Sequence, residues 1–122
     1  MSIALWIVSG VLAALYLVAG IRKIVATKEQ IVAQRGMEWA ADYSARTLRV
    51  IGAAEVAGAL GLILPAATGI APWLTPAAAV GLVVLQALAI RMHLRRGERA
   101  PLPFNAALLV LALLVAVARL AG

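Results

Sequence analysis

Residues 49–65 read RVIGAAEVAGALGLILP. Between Arg49 and Pro65 the only ionisable side chain is Glu55, and its neighbours are all apolar or glycine. A carboxylate at the centre of a bilayer raises the free energy of insertion by about 2.5–3.5 kcal/mol. A stretch that keeps one has a partner for it or a use for it. The small residues say which way it points. Gly52, Glu55 and Ala59 fall at spacings of three and four, on one helical face, and Ala54 with Gly58 makes a small-xxx-small pair. Small side chains let a neighbouring helix approach closely. This helix is therefore read as the most central of its bundle, with Glu55 turned inward and away from lipid.

Three further stretches of similar character surround it. The chain has 122 residues, 65% hydrophobic and 13% charged, against roughly a quarter charged in soluble domains. So much apolar surface cannot be hidden in so short a chain, so the solvent for most of it is lipid. Four spans are predicted, over about 3–24, 47–64, 72–90 and 103–118. Each covers about 17–22 residues, enough for a hydrocarbon core of about 30 Å at 1.5 Å per residue. The fold class is all-α: a polytopic membrane protein, one four-helix bundle over 1–122. The first span has no positive leader and ends in Arg22-Lys23, so it is read as a retained helix. Pro65 ends the second span, and Thr75-Pro76 reads as a cap and first turn for the third.

Charge distribution separates function classes. The net charge of +6 sits almost wholly in two connections, which is the pattern of membrane orientation; no broad basic face is left for nucleic acid. The first connection and its flanks hold Arg22, Lys23, Lys28, Arg35, Arg46 and Arg49; the third holds Arg91, Arg95, Arg96 and Arg99. The positive-inside rule then places connections 1 and 3 in the cytoplasm and both termini outside, in a bacterial-type inner membrane. Arg119 is the exception, read as snorkelling to the headgroups. The chain has no cysteine, which excludes disulfides, thiolate metal sites and a dithiol relay, and its single histidine excludes a bis-histidine haem. No catalytic residue and no metal site is assigned.

Residues 27–46 mix charges with Ile31, Trp39 and Tyr43 and are read as a connector helix lying in the interface, broken near Gly36. The polar side chains that could answer Glu55 are Lys23 and Arg22 from the first span, Gln86 and His93 from the third, and the Tyr16 hydroxyl. Two readings stay open. In one, Glu55 belongs to a buried structural ion pair; in the other, it binds a proton or a ligand. A narrow polar cavity bounded by Lys23, Glu55 and His93 is expected, with Gly20, Gly52 and Ala59 leaving room beside them.

The stretch Arg49 to Pro65 resembles the second-helix pattern of DoxX-like membrane proteins, and so does Thr68 to Ala79 (TGIAPWLTPAAA). The Gly20–Lys23 and His93–Glu98 ends also fit, so the resemblance covers nearly the whole chain. It implies a four-helix bundle with functional roles for Lys23, Glu55 and His93. Proteins similar to these include a subunit of a thiosulfate:quinone oxidoreductase and relatives that help other membrane proteins assemble. The expected function is a non-enzymatic accessory or scaffold protein, with a quinone or lipid held near Glu55. Another membrane protein or a second copy of the chain is the expected partner within the bilayer. The alternatives are a subunit of a quinone-linked oxidoreductase and a small proton-coupled transporter using Glu55.

Overall fold

The structure is a computed structural model that describes residues 2–121. Helix α1 spans Ile3–Val25, α2 Lys28–Val32, α3 Ala45–Thr68, α4 Leu74–Arg95 and α5 Leu102–Ala121, with a short 3-10 helix over Glu38–Asp42. All the described regular structure is helical, and α1, α3, α4 and α5 are each long and apolar enough to cross a membrane. They form a closed ring in which α1 packs on α3, α3 on α4, α4 on α5 and α5 back on α1. Neighbours run antiparallel. One end carries the α1–α3 connector and the α4–α5 connection and is called here the connector end. The other carries the α3–α4 hairpin, the start of α1 and the end of α5, and is called the hairpin end.

The exterior of the spans is apolar, unlike that of a soluble domain, and the interior admits several polar side chains among apolar ones. Val18, Leu64, Val84 and Leu114 are more than half exposed, while Ser9, Thr75 and Gln86 are buried. Leu12, Tyr16, Leu62, Leu82, Leu108 and Val115 fill the core. A second small core of Ile31, Ala40 and Leu48 folds the connector onto the start of α3. Thr27 caps α2 with a reciprocal capping box, and the chain then turns at Gly36, which has a φ of 86°. Trp39 and Tyr43 meet edge to face at 5.7 Å.

Two helix ends differ from the sequence reading. Helix α3 runs through Pro65 to Thr68. The proline removes only the N–H that would bond one turn back. The following turn is held by the Thr68 hydroxyl donating to Leu64 O at 2.7 Å and by Gly69 N–H donating to Pro65 O at 3.0 Å. Gly69, at a φ of 74°, is the left-handed cap that stops the helix. At the start of α4 the cap is Trp73, which makes no side-chain capping bond. Thr75 lies inside the first turn, fully buried, and its hydroxyl has no hydrogen-bond partner among the described residues.

Small residues set the closest approaches. A Cβ on Gly20 would stand 2.6 Å from Gly52 O, and a Cβ on Gly52 would stand 2.6 Å from Gly20 O. A Cβ on Gly61 would stand 2.6 Å from the Cβ of Ala78, and one on Gly58 as close to Leu82. Apolar helices in lipid gain from contact only by packing, so glycines at the crossing determine how close α1 and α3 come.

Candidate functional site

Lys23 and Glu55 each lie three residues beyond the glycine at the α1–α3 contact, so each shares the face of its own glycine. Helical side chains lean toward the N-terminus of their helix. Because α1 and α3 run antiparallel, Lys23 leans toward the hairpin end and Glu55 toward the connector end. They lean into each other. The Cβ of Lys23 lies only 2.9 Å from where a Cβ on Gly52 would be, so the lysine stem passes over bare backbone at that glycine. Its Nζ reaches Glu55 Oε1 at 2.7 Å. Lys23 is 8% exposed and Glu55 6%. The approach is close but off the hydrogen-bond direction, and Oε1 has no directed hydrogen bond.

Above the pair, Gln86 Nε2 donates to the Tyr16 hydroxyl at 2.7 Å, a buried bond that ties α4 to α1. Gln86 Oε1 has no partner among the described residues. Helix α5 adds Asn105, 9% exposed, whose Nδ2 is also unpartnered. Each of the four long helices thus contributes a buried polar side chain in the connector half.

The remaining two predicted side chains belong elsewhere. His93 is buried, but its Nδ1 lies 2.8 Å from Glu98 Oε1, in a second polar knot at the connector end. Arg96 completes that knot, with Nε 3.2 Å from Glu98 and Nη1 on Asp42 of the 3-10 helix. The hydrogen bond from His93, opposed by slight burial and seconded by Arg96, holds the Glu98 carboxyl below the usual carboxylate range. Arg22 is exposed and turns to the connector, with Nη2 2.6 Å from the Gln34 amide oxygen in the orientation that lets it accept. Depth along a helix could not separate His93 from Glu55, because a side chain at a helix mouth can turn inward or back to its own connection.

The space beside the pair also differs from expectation. Gly20 and Gly52 are filled by each other's backbone and leave no room. A cavity of about 590 Å³ lies instead between α3 and α4 on the outer face, lined by Gly58, Gly61, Pro65, Ala78, Gly81 and Leu85 among others. A second touches Lys28, Glu29 and Val32 on the connector. Neither reaches Lys23, Glu55 or His93. Asn105 went unnoticed in the sequence although it carries the signal that marked Gln86, an amide inside an otherwise apolar run.

A family model described as the DoxX-like family matches residues 7–115, a range that holds every side chain of the Lys23–Glu55 site. No curated protein and no solved structure matches the chain.

Proposed function

The chain belongs to the DoxX-like family of membrane proteins, and from that premise we propose that it is a non-enzymatic accessory protein whose Lys23–Glu55 site holds the polar head of a quinone or lipid. The observation that carries this is the set of unfilled hydrogen-bonding positions in the connector half. Gln86 Oε1 has acceptor capacity to spare, and Asn105 Nδ2 is a spare donor. Buried polar groups in lipid are rarely left so, because each unmet group costs several kcal/mol in hydrocarbon. A head group carrying carbonyls or hydroxyls fits spare donors and acceptors buried in one half of the bundle, and an apolar tail fits the surrounding bilayer.

Native mass spectrometry of the full chain in mild detergent tests this. The wild-type chain should carry a quinone or lipid that Glu55→Gln and Asn105→Leu both reduce. A wild-type chain that carries neither, or variants that carry as much as wild type, would refute the reading. A transporter cycling protons through Glu55 is less well supported, because Lys23 already answers that carboxylate at 2.7 Å.

The proposed orientation puts the connector end in the cytoplasm. Single cysteines at Thr68, Arg35 and Glu98 should divide accordingly. Only the first should react with an impermeant thiol reagent in intact cells, and reaction at the other two would invert the topology.

A further inference from the structure

The hairpin end holds a positive charge that the Lys23–Glu55 site does not use. Arg119 lies in the last turn of α5, and its guanidinium carbon sits 5.3 Å from the centroid of the Trp6 ring on α1. Its Nε and Nη2 are shielded from solvent, and neither has a hydrogen-bond partner among the described residues. A guanidinium stays charged and carries five donors in a flat fork. The Trp6 ring answers one face of that fork, and a phosphate meets Nε and Nη2 when the side chain turns outward from this shielded position.

No acidic side chain of the protein is placed to answer it. The five are Glu29, Glu38, Asp42, Glu55 and Glu98. Four lie in the connections of the other end, and Glu55 is held by Lys23. Two further hydroxyls without partners lie toward the same end. Ser9 follows Trp6 by three residues on the same face of α1, and Thr75 stands in the first turn of α4, which begins where α5 ends. Both are fully buried. Arg119 is also within a turn of the end of α5, so it stands at the depth of lipid headgroups if the helix spans the bilayer.

We propose that Arg119, flanked by Trp6, is a seat for a phosphate group. A guanidinium edge pairs with phosphate through two parallel hydrogen bonds, and the anion neutralises a charge that water could only solvate. The phosphodiester of a phospholipid in that leaflet is one source, and free phosphate is the other. Trp6 and Arg119 both lie outside the residues 7–115 matched by the family model. It does not depend on what the Lys23–Glu55 site holds.

The test uses the full chain with a purification tag after residue 122, stripped of lipid in mild detergent, with bound molecules counted by native mass spectrometry. The probes are phosphatidylcholine and a diacylglycerol with the same chains and no phosphate. Phosphatidylcholine is chosen because its zwitterionic head is drawn little to the basic connections. Wild type should hold one phosphatidylcholine on the order of tenfold more tightly than diacylglycerol, the equivalent of one net charged hydrogen bond. Arg119→Gln should lose that preference, and Arg119→Lys should keep part of it. Equal binding of the two probes by wild type overturns the proposal, whether or not any variant folds. So does an Arg119→Gln chain that keeps the preference. Millimolar inorganic phosphate identifies the source: displacement of the lipid points to free phosphate, and undisturbed binding to the lipid phosphodiester.

Discussion

The Lys23–Glu55 contact measures 2.7 Å and the His93–Glu98 contact 2.8 Å, yet the two stand in different media. The first lies inside the bundle with both side chains at or below a tenth exposed. The second joins the buried last turn of α4 to the turn beyond it, and its Glu98 side chain is 28% exposed. Water and salt screen the second and scarcely reach the first. Distance alone therefore does not rank them. What ranks them is the cost of leaving one partner behind, which is large where no water can replace it and small where water can.

The sharpest way to break this contrast is to remove one charge from the inner pair. Glu55→Gln leaves Lys23 buried and unanswered, a loss of about 3–5 kcal/mol in soluble proteins. Thermal unfolding in detergent should show it as the largest drop among these variants. Adding Lys23→Met should restore part of the loss. A double variant no more stable than the single would mean that the pair is not what holds the two helices.

The glycines that admit the pair come next. Gly52→Ala places a methyl 2.6 Å from Gly20 O and 2.9 Å from Lys23 Cβ, against backbone that cannot move aside cheaply. Overpacking of this kind costs about 1–3 kcal/mol. Gly10→Ala, with no atom within 4 Å of the new carbon, should be neutral or stabilising. Equal stability of the two variants would detach the pair from the helix contact. Gln86→Leu should cost less, because hydrogen bonds between membrane helices average about 0.6 kcal/mol.

The outer knot should give the smallest effect and show it through pH. The Glu98 carboxyl is lowered from 4.5 in the folded chain, chiefly by its hydrogen bond from His93. Its stabilisation is then fully present above the ordinary carboxylate pKa and drains away as pH falls through the lowered folded value. Glu98→Gln should flatten that acid-side slope, and raised salt should shrink it in the wild type. A slope that survives Glu98→Gln would assign the acid sensitivity to another group.

The four spans were legible because lipid-facing helices announce themselves by length and hydrophobicity, and Glu55 because a charge inside such a run is conspicuous. The inward turn of Glu55 was legible from Gly52 and Ala59 on its face. Which cation met it was not, because Arg22 and Lys23 are adjacent and differ by about 100° around the helix, a rotation that only packing on α3 decides. The extent of α3 past Pro65 was hidden for a related reason. Proline blocks a helix only if the bond it forfeits is needed, and Thr68 and Gly69 supply replacements from further along. The glycines misled in one respect. They read both as close approach and as room beside the site, and at Gly20 and Gly52 only the close approach is present.

The opposed lean of Lys23 and Glu55 bears on sliding. Two smooth apolar helices in lipid have no preferred axial offset, since every offset exposes the same hydrocarbon to the same solvent. Here the lysine stem lies across the notch at Gly52 and ends on a carboxylate that faces it head-on. A shift of α1 along α3 one way stretches the charges apart in a medium that cannot screen them. A shift the other way drives the stem into the backbone beside the notch. The pair thus works as a detent. The bundle can tilt to suit a thinner or thicker membrane, but α1 and α3 must do so as one piece.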